Sequence, residues 1–129
     1  MKKLITLIIL FMLSFSVKAQ MDGVYVFNPI SVSFAYDGQG YSKPSPVDLM
    51  LYWDTDRGVI EINSKEPQRY TYSKFDKIET NEYTRLRAIA KDKQGKIVVL
   101  YFYELNNGNL LFIIEFSDAS VRYVLNPND

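Results

Sequence analysis

The stretch IVVLYFYELNNGNLLFIIEF, which runs from Ile97 to Phe116, predicts two β-strands joined at a tight turn. Its centre, Asn107-Gly108, is the strongest two-residue hairpin signal in the chain. A sheet with one solvated face alternates apolar with polar residues along each strand. Here both faces are apolar almost throughout, interrupted only by Glu104, Glu115 and two tyrosines. We therefore expect both faces of this hairpin to be at least half covered.

A two-residue turn at Asn107-Gly108 fixes the predicted register of the hairpin. The cross-strand pairs are then Leu105–Leu110, Tyr103–Phe112, Tyr101–Ile114 and Val99–Phe116. Because side chains alternate strictly along a strand, all of these residues share one face, which we predict to be the core face. The other face carries Leu100, Phe102, Glu104, Leu111, Ile113 and Glu115.

The remainder of the chain after residue 19 shows short runs of β-branched and aromatic residues between turn residues, which is typical of strands. The predicted strands are Val24–Phe27, Ile30–Tyr36, Val47–Trp53, Val59–Asn63, Arg69–Asp76, Tyr83–Lys91, Lys96–Leu105, Leu110–Phe116 and Ser120–Leu125. Tight connections, such as those ending in Gly58 and Gly95, join successive strands. The sequence thus predicts an all-β, antiparallel meander of about eight or nine strands, curled into a small barrel or half-barrel. A two-layer β-sandwich is the alternative.

Residues 1–19 have the features of a signal peptide. A basic head, Met1-Lys2-Lys3, precedes an apolar stretch from Leu4 to Val17, and Val17-Lys18-Ala19 matches a cleavage site before Gln20. The apolar stretch has 14 residues, fewer than the ~20 of a membrane-spanning helix. We predict an exported protein, periplasmic or extracellular, with a single β domain over residues 20–129 and no membrane anchor after cleavage.

Charge and composition exclude several functions. Cleavage of the signal leaves 12 basic and 15 acidic residues, a net charge of −3. Nucleic-acid binding depends on concentrated Lys and Arg, so we expect no nucleic-acid partner. The chain has no histidine and no cysteine, which excludes Ser-His-Asp and Cys-His nucleophilic sites, disulfides and the usual zinc sites.

The predicted distance between Glu104 and Glu115 tests the hypothesis that two carboxylates alone catalyse a reaction. In the predicted register they share a face about 13 Å apart, beyond the ~5–10 Å that glycosidase carboxylates require. The motif Asp54-x-Asp56 resembles a calcium loop, but its glycine and glutamate fall at the wrong positions. We therefore predict no catalytic residue, no metal site and no cofactor.

Tyrosine is enriched in protein interfaces, and a basic patch can meet an acidic partner. Tyr41 lies in the longest loop, Tyr70 and Tyr72 share one strand face, and Arg85 and Arg87 lie on a predicted wet face. The second face of the opening hairpin adds three apolar groups. The predicted partner-contact residues are Tyr41, Tyr70, Tyr72, Arg85, Arg87, Phe102, Leu111 and Ile113.

Residues 59–125 resemble a group of small uncharacterised β proteins from Gram-negative bacteria. The resemblance lies in the stretches 59–66, 91–96, 111–118 and Tyr123-Val124-Leu125, and residues 20–58 are not covered. It implies a compact antiparallel β domain, and no activity is attached to it.

The sequence favours a non-enzymatic exported domain that binds another exported protein or acts as an accessory module. A carrier of a small apolar ligand inside a curled sheet is the alternative. A hydrolase that depends on carboxylates alone is the third hypothesis, and it requires Glu104 or Glu115 to act in turnover.

Overall fold

The structure, a computed structural model, describes residues 23–36 and 38–125, so the predicted signal peptide lies outside the described residues. The described residues form eleven β-strands. They are β1 (Val24–Phe27), β2 (Pro29–Tyr36), β3 (Ser45–Pro46), β4 (Leu51–Asp54), β5 (Val59–Ile62), β6 (Gln68–Tyr72), β7 (Asp76–Glu79), β8 (Tyr83–Lys91), β9 (Ile97–Leu105), β10 (Leu110–Glu115) and β11 (Ala119–Leu125). No helix in this part of the chain is long and apolar enough to cross a membrane.

All eleven strands belong to one antiparallel sheet, which confirms the predicted all-β, antiparallel class. Their order is β1-β4-β5-β6-β8-β9-β10-β11-β2-β3, and β7 pairs with β8 beside β6. The sheet is not closed into a barrel, because its path begins at β1 and ends at β3. The eleven strands also exceed the predicted number, and they form one sheet where a sandwich would have two.

The N-terminal strand connects the two ends of this sheet. Only Asn28 separates β1 from β2, and Pro29 interrupts the strand because it has no N–H to donate to a ladder. β1 pairs with β4, with Phe27 opposite Leu51. β2 pairs with β11, and these two strands lie near the other end of the sheet order. Phe27 and Pro29, two residue steps apart, can be at most about 7 Å from each other. β1, at the start of the sheet order, and β2, next to its other end, therefore lie close together at Asn28.

A ring contact across the interior shows the same curvature. Trp53 on β4 stacks on Phe102 on β9, with ring centroids 4.5 Å apart and planes 13° from parallel. These strands are the second and sixth in the sheet order, which in a flat sheet would lie about 19 Å apart. The sheet thus curls around a core to which eight of its strands contribute. The core consists of Val32, Leu51, Trp53, Ile60, Ile62, Tyr70, Ala90, Val98, Leu100, Phe102, Phe112, Ile114, Tyr123 and Leu125.

A β-bulge divides the predicted strand over residues 69–76 into β6 and β7. Tyr72 pairs with Ala90 and Asp76 pairs with Arg87, so three residues of one strand lie opposite two of the other. The extra residue reverses the alternation of faces. Strict alternation from Tyr72 would place Phe75 on the outer face, but its ring lies 5.3 Å from that of Trp53 and 4.5 Å from that of Tyr72.

The register predicted for the opening hairpin is wrong by one residue. Phe102 pairs with Phe112 and Tyr101 pairs with Ile113. The backbone N–H of Gly108 donates to the carbonyl of Leu105 over 2.9 Å, and the N–H of Leu105 donates to that of Asn109 over 2.9 Å. The loop therefore has three residues and ends at Gly108, whose φ is +90°, as in a type I turn followed by a glycine bulge.

This shift inverts the predicted faces of β9. Leu100 and Phe102 are buried in the core, and Tyr101 and Tyr103 lie on the outer face, contrary to the prediction. The faces of β10 are as predicted, since Phe112 and Ile114 are fully buried. The shift also separates the two carboxylates. Glu104 shares the face of Phe102, and Glu115 shares the outer face with Ile113.

Two turn glycines should differ strongly in their tolerance of alanine. Gly108 (φ +90°) has open space around it, whereas a Cβ on Gly58 (φ +68°) would lie 2.5 Å from the backbone carbonyl oxygen of Tyr72. We expect Gly108→Ala to lower the free energy of unfolding by about 1 kcal/mol through backbone strain alone. Gly58→Ala should cost roughly 3 kcal/mol or more, because strain and overlap add. Urea denaturation of both variants measures the difference, and equal losses would contradict the close approach of Tyr72.

Candidate functional site

The outer face of β8–β11 combines arginine, tyrosine and aliphatic side chains. We call this the arginine–tyrosine surface, and it comprises Arg85, Arg87, Tyr101, Tyr103, Leu111, Ile113 and Arg122. All of these residues are partly exposed. It exists because Phe102 faces the core, so its neighbours in sequence, Tyr101 and Tyr103, must face outward.

Strand register arranges this surface in two rows. In the first, Arg87 lies opposite Tyr101, Tyr101 opposite Ile113, and Ile113 opposite Arg122. The second row contains Arg85, Tyr103, Leu111 and Val124 in the same strand sequence. Directly opposed residues in an antiparallel ladder share a face and contact one another. An aromatic and aliphatic centre is therefore bordered by arginine on β8 and on β11.

Each of the three arginines contacts a tyrosine ring. The guanidinium carbons of Arg85 and Arg87 lie 5.7 and 6.0 Å from the ring centre of Tyr101, and that of Arg122 lies 4.1 Å from the ring centre of Tyr41. Cations at such distances are attracted to the negative face of the ring. The Tyr101 side chain also raises the pKa of Arg87, chiefly through hydrogen bonding, so Arg87 keeps its charge throughout the physiological range.

The three arginines form no direct ion pair with a described carboxylate, although the charges of Glu115 and Asp76 act on Arg87 at longer range. Ion pairs in this part of the chain involve Arg57, Arg69 and Lys77 instead. The Nε atoms of Arg85 and Arg122 are buried without a hydrogen-bond partner. Leaving a buried donor unpaired is costly. This surface therefore carries three guanidinium charges that no described carboxylate contacts directly.

Tyr41 forms one border of the surface and is held by more than its ring contact. The hydroxyl of Ser120 donates a hydrogen bond to the hydroxyl of Tyr41 over 3.0 Å. On β11, Arg122 and Ser120 lie opposite Ser33 and Ala35 of β2. Ser33 and Ala35 are buried although they belong to the outer face. Tyr41 contacts Ser120 and Arg122, and the backbone N–H of the next residue, Ser42, donates to the carbonyl of Phe34 on β2, so this segment lies against the β2–β11 part of the sheet.

Three of the predicted contact residues, Tyr70, Tyr72 and Phe102, belong to the inner face of the sheet, where Tyr72 is partly exposed. Phe102 and Tyr70 are 8% and 3% exposed, and the hydroxyl of Tyr70 donates to Oε1 of Gln68 over 2.6 Å. The hydroxyl of Tyr72 accepts a hydrogen bond from Nε1 of Trp53 over 2.6 Å. The structure brings the other predicted residues together, namely Tyr41, Arg85, Arg87, Leu111 and Ile113.

Sequence reasoning missed Tyr101, Tyr103 and Arg122 as surface residues. A turn of Asn107-Gly108 alone predicts that the two tyrosines lie on the core face. The run Asn106-Asn107-Gly108 equally suits a three-residue loop with glycine last, and that alternative gives the observed faces. Arg122 carries no local signal, since only the pairing of β10 with β11 places it next to Ile113.

The β-bulge opens a depression of about 560 Å³ beside this surface. Its lining includes Arg87, Lys91, Ile89 and Ile97, and both isoleucines are more than half exposed. The apolar part of the outer face therefore continues beyond Tyr101 toward the end of β8. Among the described residues, no group of three or more acidic side chains could hold a metal ion.

Comparison with models of protein families, with curated proteins and with solved structures found no match. The resemblance of residues 59–125 to small β proteins of Gram-negative bacteria stays a prediction.

Buried tyrosines should make the fold sensitive to alkaline pH. Burial raises the pKa of Tyr25 and of Tyr72 from 10.0 to about 12. The folded state therefore keeps these protons to a higher pH than the unfolded chain does. The free energy of unfolding is unaffected by these groups below pH 10 and falls between pH 10 and about 12. Chemical denaturation over this range measures the fall.

Two Tyr→Phe variants separate this titration from hydrogen bonding. Tyr25→Phe should leave stability at pH 7 nearly unchanged and weaken its fall at high pH, because only the ionisable hydroxyl is lost. Tyr72→Phe should already cost roughly 1–3 kcal/mol at pH 7, since Nε1 of Trp53 loses its acceptor. An alkaline profile of Tyr25→Phe identical to that of the unmodified protein would contradict the assignment of Tyr25.

Proposed function

We propose that this protein is an exported, non-enzymatic β domain that binds another protein through the arginine–tyrosine surface. One observation carries the proposal: Arg85, Arg87 and Arg122 form no ion pair with a described carboxylate, and they border a partly exposed aromatic and aliphatic centre. Protein interfaces are enriched in tyrosine and arginine, and these residues dominate their binding energy.

The rigidity of this surface favours binding. Its side chains project from four hydrogen-bonded strands, and the arginines rest on tyrosine rings. Side chains that are ordered before association lose less conformational entropy on binding. Leu111 and Ile113, at the centre, supply apolar area that a partner can cover.

The interior offers less support for the carrier of a small apolar ligand. Leu51, Ile60, Leu100, Phe112 and Ile114 are each 0% exposed, and the rings of Trp53 and Phe102 stack within the same cluster. Large side chains thus occupy the space beneath the sheet. A hydrolase acting through Glu104 and Glu115 is disfavoured too, because these residues belong to opposite faces.

Export rests on the signal-peptide pattern of residues 1–19.

A photoreactive phenylalanine analogue tests the binding surface in the native cell envelope. Placed at Tyr103, it should yield a discrete crosslinked adduct on irradiation, because this position lies within the proposed interface. Placed at Tyr52, an exposed tyrosine on β4 far along the sheet, it should not. Leu111, in the same row, is a second position for the analogue. Adducts of equal yield at Tyr103 and Tyr52, or none at either Tyr103 or Leu111, would contradict the proposal.

A further inference from the structure

We infer that the arginine–tyrosine surface binds an acidic protein segment in which an apolar residue lies between two carboxylates. This inference rests on the proposed function and specifies the chemistry of the partner. Because arginines border the surface on both sides, a partner that complements their charge has carboxylates at two separated points. The aliphatic centre calls for an apolar group between them.

The register gives the spacing of those groups. Arg87 and Arg122 lie in one row, on strands that are three apart in the sheet order, which corresponds to about 14 Å. Tyr101 and Ile113 occupy the row between them. In an extended segment, residues four apart point to the same side about 13 Å from each other. Carboxylates at positions i and i+4, with an apolar residue at i+2, therefore match this row.

The chemistry of the surface favours carboxylates on a protein over the phosphates of lipid or nucleic acid. Its two rows contain arginine but no lysine, and arginine binds carboxylates and phosphates alike through two parallel hydrogen bonds, so the number of cations and the net charge of the domain decide between them. Binding to phosphate polymers or anionic membranes requires many dispersed cations, whereas the predicted mature domain has a net charge of −3. Two acidic side chains lie near this row: Glu115, two positions from Ile113 on the same face, and Asp76, opposite Arg87 in register. Both act on Arg87 electrostatically, and neither forms a direct ion pair with it.

Fluorescence anisotropy with designed peptides tests this inference. The probe is a labelled peptide with the core Glu-Thr-Leu-Thr-Glu, in which threonine favours an extended chain. One control replaces both glutamates with lysine, and the other keeps the composition but places the glutamates side by side. We expect the probe to bind more tightly than both controls, and more weakly as salt rises.

Arginine variants locate the binding site. Arg87→Gln and Arg122→Gln should each weaken binding of the probe about tenfold or more, since each removes a charge-assisted contact. The matched control is Arg69→Gln, on β6, where Arg69 pairs with Glu61 at 3.4 Å, and it should leave the affinity unchanged. Circular dichroism of each variant verifies that the fold is retained.

Three results would overturn the inference. They are equal binding of the lysine peptide, an affinity unaffected by Arg87→Gln and Arg122→Gln, and absence of binding by all peptides. Binding of phosphatidylglycerol vesicles that is tighter than that of the probe and lost in the same variants would assign the surface to lipid instead. If the Tyr103 crosslink persists in the Arg87→Gln/Arg122→Gln double variant, a protein partner stands and only its acidic character is wrong.

Discussion

The stack of Trp53 on Phe102 holds together strands that adjacent pairing alone would leave far apart. Neighbouring rings extend it in several directions, since Trp53 also contacts Tyr25 and Phe75, and Phe102 also contacts Phe112. Each such pair contributes about 0.5–1.5 kcal/mol beyond the area that it buries. The geometry of the cluster therefore fixes how tightly the sheet curls, and a flat sheet of the same strands could not form it.

The outer surface is a consequence of this inner packing. Because Phe102 must face Trp53, alternation along β9 turns Tyr101 and Tyr103 outward beside the arginines of β8. The β-bulge before β7 serves the same cluster, since it brings Phe75 inside directly after Tyr72. The interior and the proposed binding surface thus depend on the same register, and a slip of one residue would exchange them.

Much of the strand content could be predicted from the sequence, because β-branched and aromatic runs between turn residues have few other interpretations. Val59–Ile62, Tyr83–Lys91 and Leu110–Glu115 lie at or within a residue of their predicted bounds. The faces of β9 could not be predicted, since both are apolar and only the loop length distinguishes them. The break at Ser73–Phe75 was hidden for a different reason. The sequence around these residues does not predict a bulge. The bulge allows the ring of Phe75 to contact Trp53, which lies about twenty positions earlier in the chain.

The pairing of the two N-terminal strands has a consequence for how the molecule folds. β1 pairs with β4, from which β2 and β3 separate it in the chain, whereas β2 pairs with β3 and with β11, the last described strand. Most of the sheet can form between strands that are close in the chain, but the ladder between β2 and β11 cannot form until both are available. Closing so long a loop is entropically costly and slow. The described sheet is therefore complete only once β11 has paired with β2.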